Sequence, residues 1–228
     1  MSHYFKTARL IFRLPRRYRG GFTVIELVVT TAIFVTITAI TLANYPRFSN
    51  KVALDLLAHD IALALRQAQT FGLGIHEFQT GSSGLFPSGY GVSFAQGEPN
   101  LLYLFADINR DSRFGNRFNA GTACGTSNPG ECVEQYHIPS NFELRDLCVG
   151  TGGRFPDEVS SGCGNQFLDL SFYHPKPASL ICAESDTRSC SANHADAEIV
   201  LGPKNGLPND AVLIEVTRNG QISVVQHP

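Results

Sequence analysis

The feature that most constrains this chain is an uncharged run of 20 residues, from Leu27 to Pro46. At about 1.5 Å per residue, a helix of that length spans the roughly 30 Å hydrocarbon core of a bilayer. The run is rich in β-branched residues, which in water would favour a strand. It is too long for one strand, however, and a lone segment in lipid must pair its backbone polar groups internally. The sequence therefore predicts a membrane-spanning helix.

Charge is distributed unevenly on the two sides of this run. Residues 1–21 hold six of the 18 basic residues and none of the 20 acidic ones. Because only Arg47 and Lys51 follow the run closely, residues 1–21 are expected to stay in the cytoplasm and the C-terminus to lie outside it. The rest of the chain has 12 basic against 20 acidic residues, a net charge of −8. Such an acidic surface disfavours contact with nucleic-acid phosphates, so no nucleic-acid partner is expected.

Two other kinds of N-terminal segment combine a basic start with an apolar run. A secretory signal peptide has an apolar region of about 7–15 residues and a small-x-small cleavage site, whereas this run is longer and continues into Tyr45, Pro46 and Arg47. A plain single-pass anchor is the second alternative, but it leaves Glu26 unexplained. A carboxylate costs about 2.5–3.5 kcal/mol at the centre of a membrane helix and less near its end, so Glu26 is expected to have a partner.

The residues around this carboxylate carry a family resemblance, over Arg19-Gly20-Gly21-Phe22-Thr23-Val24-Ile25-Glu26-Leu27-Val28-Val29. The segment resembles the processing site of type IV pilins and type II secretion pseudopilins. The resemblance implies that a prepilin peptidase of the inner membrane cuts after Gly21 and methylates the new N-terminus, Phe22. It also implies that Glu26, the fifth mature residue, serves assembly with other pilin or pseudopilin subunits.

Cleavage at this position would also supply the partner that Glu26 needs. A chain that begins at Phe22 has a free ammonium group, and the ammonium of a neighbouring chain would neutralise the Glu26 carboxylate. The positive end of the helix dipole favours the carboxylate further. Pairing between chains would set the axial stagger of an assembly.

An amphipathic helix is predicted after Pro46, which should kink the junction or loosen the turn before it. Apolar residues recur there at three- and four-residue steps, at Leu54, Leu57, Ile61, Leu65, Ala68 and Phe71. Gly72 and Gly74 are expected to end it. The two segments together predict one helix of about 75 Å. A coiled-coil partner is the alternative for the apolar stripe, although the strand signals that follow favour packing within the chain.

Strand-like runs separated by Gly, Asn, Pro and Ser turns follow from residue 75. The clearest are Tyr90–Ala95, Leu101–Ala106, Phe142–Leu147, Phe167–Tyr173, Ala178–Cys182, Glu198–Leu201, Ala211–Thr217 and Gln221–Val225. Asn219-Gly220 predicts a tight hairpin between the last two, because both residues tolerate positive φ. A long helix followed by antiparallel strands predicts an α+β fold.

The sequence thus divides into a basic leader (1–21), a transmembrane or filament-core helix (22–46), an amphipathic helix (47–74) and an exported β-rich domain (75–228). The chain also resembles H-type minor pseudopilins and related minor pilins loosely, over Asp60–Phe71, Gly89–Val92 and Phe105–Asp107. Its cysteine-rich loops between residues 119 and 194 depart from their compact form.

All six cysteines lie in the second half of the chain, at Cys124, Cys132, Cys148, Cys163, Cys182 and Cys190. Their even number and the predicted export point to disulfides. Six cysteines allow 15 connectivities, of which sequential pairing is favoured because each pair would close a short loop. A metal site is the alternative, but His194 near Cys190 has no second ligand pair beside it.

One segment places oxygen-bearing side chains at alternate positions, as calcium loops do: Asp107, Asn109 and Asp111. Ser112 replaces the glycine of such loops and Phe118 replaces their bidentate glutamate, so a polar turn is favoured over a Ca²⁺ site. The glycine-rich run Gly150–Arg154 has no βαβ unit around it and is interpreted as a loop. No catalytic motif is visible. We therefore expect no enzyme activity, no catalytic residue and no cofactor.

These expectations converge on a structural subunit, expected to be a minor one, of a type IV pilus or a type II secretion pseudopilus. It would be a single-pass protein of the inner membrane with its C-terminal domain outside the cytoplasm, and would then enter the filament. The alternative is a tip minor pilin that binds DNA or a surface ligand, for which Lys204 and Arg218 are the available C-terminal cations. The sequence leaves the choice between pilus and secretion system open.

Overall fold

The structure, a computed structural model, describes residues 21–74, 76–80, 83–115, 124, 130–150, 163–183, 190, 194–205 and 210–226. The predicted leader therefore lies outside the described residues, except for Gly21. The elements in chain order are α1 (Val24–Leu73), β1 (Phe78–Thr80), β2 (Ser83–Leu85), β3 (Gly89–Ala95), β4 (Leu101–Asp107), β5 (Cys132–His137), β6 (Phe142–Val149), β7 (Phe167–Tyr173), β8 (Lys176–Ala183), β9 (Asp196–Pro203), β10 (Val212–Thr217) and β11 (Ile222–Gln226). The chain forms two compact units with the boundary between Pro46 and Arg47.

In the first unit, the threonines of α1 bond to the helix's own backbone. The hydroxyl of Thr30 donates to the carbonyl of Glu26 at 2.9 Å, and that of Thr38 to the carbonyl of Phe34 at 2.8 Å. Thr31, Thr36 and Thr41 make equivalent bonds three or four residues back. These bonds satisfy the polar groups without water. They explain how the threonine hydroxyls of this segment are compatible with a helix in lipid.

In the second unit, the predicted stripe of α1 is the core face of the domain. Leu54, Leu57, Ile61, Leu65 and Ala68 are buried, with Leu65 and Ala68 at 0 % exposure. Phe71 is half-buried against the same cluster. The stripe therefore packs within the chain, as expected, and needs no coiled-coil partner to bury it. The helix ends at Leu73, and Gly74 N–H still donates to the carbonyl of Thr70 at 2.9 Å.

The strands form two larger antiparallel sheets. One has the order β5-β4-β3-β7-β8, the other has the order β11-β10-β9-β6, and β1 and β2 form a separate hairpin. Val92 and Leu170 of the first sheet share one buried cluster with Ile199 and Ile214 of the second and with the α1 stripe. The predicted α+β architecture is confirmed: one helix half covers two sheets around a common core.

All eight predicted strands are present, with ends that differ by zero to two residues. Three strands were not predicted. β1 and β2 have three residues each, too few to show an alternating pattern. β5 contains Cys132, Glu134 and His137. Because this segment is polar, it was interpreted as part of the cysteine-rich loops. Its pairing with β4 contains a register shift between Leu104 and Phe105.

The predicted hairpin between β10 and β11 is present, but its turn differs in detail. Gly220 has φ of +83°, whereas Asn219 is not among the described residues with positive φ. Gly220 N–H donates to the carbonyl of Thr217 at 2.8 Å, and Thr217 N–H donates to that of Gln221 at 2.9 Å. This is a three-residue loop with one glycine in the left-handed region, rather than a two-residue turn with two such residues.

Candidate functional site

The N-terminal segment holds the predicted processing residues just before α1 and the predicted assembly residue on its first turn. Gly21 and Phe22 precede the helix, and the Phe22 side chain is 80 % exposed. The Glu26 N–H donates to Thr23 Oγ1 at 3.2 Å, so Thr23 caps the helix. Thr23 and Glu26 have the spacing of a capping box. This local role for the Thr-x-x-Glu pattern was missed in the sequence, although the pattern is visible there.

The Glu26 carboxylate lies in the first turn of the helix and is exposed. Within the described part of the chain, the Glu26 carboxylate has no ion-pair partner. The helix dipole stabilises a negative charge at this end. The arrangement leaves the carboxylate available to a cation from another molecule.

The first unit presents apolar side chains around its whole circumference. Exposed examples are Ile25, Val28, Phe34, Ile37, Ile40 and Leu42. Of the helices in the described residues, α1 is the one that is long and apolar enough to cross a membrane, and the qualifying stretch is not buried within the protein. A helix that is apolar on all faces must be covered by lipid or by other helices. This is consistent with single-pass membrane anchoring.

A second polar constellation lies in the loop after β4, centred on Asp107. Asp107 is fully buried. Its Oδ1 accepts the N–H of Arg110 at 2.7 Å, and its Oδ2 accepts that of Ser112 at 3.0 Å. Arg110 and Ser112 have positive φ, of 67° and 63°. The buried carboxylate therefore holds a turn that non-glycine residues rarely adopt.

Two residues distant in sequence complete this constellation. Tyr173 on β7 donates its hydroxyl to Asp107 and lies 2.6 Å from the Ser112 hydroxyl. Burial, and then the bond to Asp107, raise the Tyr173 pKa. Glu131 accepts the N–H groups of Ile108, at 3.2 Å, and Gly115, at 2.8 Å. Burial raises the Glu131 pKa. Neither residue was predicted, because the fold alone brings them to the loop.

The calcium hypothesis placed Asp107, Asn109 and Asp111 around one ion. The structure brings Asp107, Asp111 and Glu131 together, with ligand atoms within 4.8 Å of one another. Asn109 instead bonds to Asp111: its amide donates to Oδ2 at 2.9 Å and its Oδ1 accepts the Asp111 N–H at 3.0 Å. Phe118, the twelfth position, lies outside the described residues. The carboxylates are thus engaged by amide donors in the manner of a polar turn.

The cysteines pair sequentially in three disulfides: Cys124–Cys132, Cys148–Cys163 and Cys182–Cys190. Asp146 lies near Cys148 and Cys163 in a group that could hold a metal. Because both sulfurs are in a disulfide, they are not thiolate ligands. The disulfides tie loop residues to the sheets, since Cys132, Cys148 and Cys182 belong to β5, β6 and β8. The run Gly150–Arg154 lies outside the described residues, apart from Gly150.

Comparison with known proteins does not add to these observations: no family model, no curated protein and no solved structure matches this chain.

Proposed function

We propose that this chain is a pilin-like structural subunit, a minor component of a type IV pilus or type II secretion pseudopilus. The observation that carries the proposal is the division of α1 at Pro46. Before Pro46 the helix is apolar on every face and begins with one exposed carboxylate, Glu26. After Pro46 the same helix packs into a β-rich domain with its own core. In a plain anchored domain the Glu26 carboxylate would serve only the N-terminus of its own helix, whereas a filament also gives it a cation partner.

In the proposed mechanism, a prepilin peptidase cuts the chain between Gly21 and Phe22 and methylates the new N-terminus. The apolar halves of α1 from many subunits then pack together in the filament core. The ammonium of Phe22 in one subunit pairs with Glu26 of its neighbour, which offsets the cost of removing both charges from water. The β-rich domain stays at the outside of the filament.

The test compares Glu26→Gln with a matched control, Glu77→Gln, in cells that carry the prepilin peptidase and the other subunits. Glutamine keeps the ability to complete a helix cap but has no charge, so the variant separates charge pairing from capping. We expect Glu26→Gln to be cleaved normally and to be depleted from sheared filaments by about tenfold. A tenfold depletion corresponds to a loss of about 1.4 kcal/mol of binding free energy at each contact between subunits. Glu77, exposed in the second unit, should behave as wild type.

Two results would contradict the proposal. One is wild-type recovery of Glu26→Gln in filaments, which removes the role of the charge. The other is a mature chain whose N-terminal sequence begins anywhere but at Phe22, which removes the ammonium that Glu26 needs. Deletion of the gene, followed by assays of piliation and of protein secretion, assigns the subunit to one of the two machines.

A further inference from the structure

A surface cavity of about 450 Å³ lies where the β7–β8 turn meets the end of β10. Its polar lining includes His174 of the turn, Lys176 at the start of β8, His194 before β9, and Arg218 after β10. Leu180 and Ile181 of β8 form an apolar part of the wall. Its volume is in the range of small-molecule sites. Elements of both large sheets therefore contribute to one concave surface.

The walls of the cavity are fixed by hydrogen bonds to the backbone of Thr217 and Arg218. Arg218 N–H donates to the carbonyl of Ala195 at 2.8 Å, and Ser179 N–H donates to the carbonyl of Arg218 at 3.0 Å. The Ser179 hydroxyl also donates to the carbonyl of Thr217 at 2.9 Å. The Arg218 backbone is thus held on both sides, which fixes the point at the cavity from which its side chain extends.

The charged residues that line the cavity are basic, whereas residues 22–228 as a whole have a negative net charge. No described residue that lines it is acidic. In the described part of the chain, neither the Lys176 ammonium nor the Arg218 guanidinium has a hydrogen-bond or ion-pair partner. Residues 22–228 nevertheless carry a net charge of −8. Two unpaired cations over an apolar wall, in an otherwise acidic domain, are a specific local arrangement.

We propose that this cavity binds a small anion with a short apolar body, held by Arg218 and Lys176. The planar guanidinium presents paired donors to a carboxylate or a phosphate group, and the ammonium adds a point charge. The imidazoles of His174 and His194 supply further polar groups, and the half-buried Leu180 receives the apolar part. A long polyanion is disfavoured, because it would continue from the cavity over an acidic surface.

The experiment is a calorimetric titration of the full chain, purified in a non-ionic detergent, at low ionic strength. The probes are hexanoate, inorganic phosphate and a single-stranded oligothymidylate. The variants are Arg218→Gln and Lys176→Gln, with Lys204→Gln as a matched control, because Lys204 is an exposed cation that does not line the cavity. Thermal denaturation of each variant verifies that it is folded.

We expect saturable binding of hexanoate or phosphate, and the tighter of the two identifies the head group. Arg218→Gln should weaken that binding by about tenfold, because a charge-assisted hydrogen bond is lost. Lys204→Gln should change it by less than about twofold, as a distant exposed charge does. The proposal is overturned if neither small anion binds, if Lys204→Gln weakens binding as much as Arg218→Gln, or if the oligonucleotide binds more tightly than both small anions.

Discussion

The side-chain amide of Gln69 donates a hydrogen bond of 3.0 Å to the main-chain carbonyl of Gly220. The same nitrogen donates to the carbonyl of Pro177 at 3.2 Å. Pro177 lies at the start of β8 and Gly220 in the β10–β11 turn, so one helical side chain joins the ends of both sheets. The Gln69 bonds therefore lock α1 to the two strand layers at the end of the domain that holds the cationic cavity.

Replacing Gln69 by Leu should lower the free energy of unfolding by about 1–2 kcal/mol, because the partly buried carbonyl of Gly220 and the exposed carbonyl of Pro177 lose their donor. Urea denaturation followed by the near-ultraviolet circular dichroism of the tyrosines measures this. Arg66→Leu, an exposed change on the same helix, should stay within about 0.5 kcal/mol of wild type. Equal stabilities for the two variants would show that the Gln69 bonds contribute nothing.

Gly72 permits the close approach of α1 to β7. A Cβ added at Gly72 would collide with the main-chain carbonyl of Phe172, a backbone group that cannot rotate away. We expect Gly72→Ala to destabilise the domain by about 2 kcal/mol, although alanine favours helices. Gly97→Ala is the control, because its Cβ would have no atom within 4 Å and its φ is not in the left-handed region. A Gly72→Ala protein as stable as Gly97→Ala would refute the close contact.

The sequence predicted the parts of the fold that depend on local pattern. The stripe from Leu54 to Ala68 has a helical period, and the longer strands are apolar runs between turn residues. β5 was missed because its residues are polar, and its place beside β4 is decided by tertiary pairing. The sequential disulfides were favoured from loop length, yet the sequence alone also allowed other pairings.

The polar constellation around Asp107 was only partly predictable. The alternating Asp107, Asn109 and Asp111 indicated a polar turn or an ion site, because these residues are adjacent in sequence. Glu131 reaches the turn from the position before β5 and Tyr173 from the end of β7, and nothing in their own neighbourhoods indicates that contact. The same reason explains the cationic cavity: Lys176 and Arg218 are 42 positions apart in the sequence and meet only in the folded domain.

The Cys148–Cys163 disulfide closes a segment with a sequence separation of 15 residues. Its removal by Cys148→Ala with Cys163→Ala should cost about 3 kcal/mol, because the unfolded chain gains the entropy of an open loop. Removing Cys124–Cys132, which has a separation of 8, should cost slightly less. Urea midpoints of the two double variants test this order. A Cys148/Cys163 variant as stable as wild type would contradict it.

Glu131 should make stability depend on pH. Its pKa is raised in the folded state by burial, so the folded protein holds this proton more tightly than the unfolded chain does. The Glu131 contribution to stability is therefore most favourable below the ordinary glutamate pKa and is lost as pH rises through the folded pKa. Glu131→Gln removes the titration. The free energy of unfolding of the wild type, minus that of Glu131→Gln, should fall as pH rises from the ordinary glutamate pKa through the raised pKa of the folded state. A difference that does not change with pH would contradict this.

Calcium binding by the Asp107 loop can be decided by a thermal shift. Ca²⁺ requires six to eight oxygen ligands, whereas the oxygens of Asp107 and Glu131 accept main-chain N–H groups and Asn109 is bonded to Asp111. We therefore expect millimolar Ca²⁺ to leave the melting temperature of the full chain unchanged, and Asp111→Asn to respond identically. A ligand that binds only the folded state raises the melting temperature. A rise with Ca²⁺ in the wild type that disappears in Asp111→Asn, and that Mg²⁺ does not reproduce, would therefore establish an ion site and refute the polar turn.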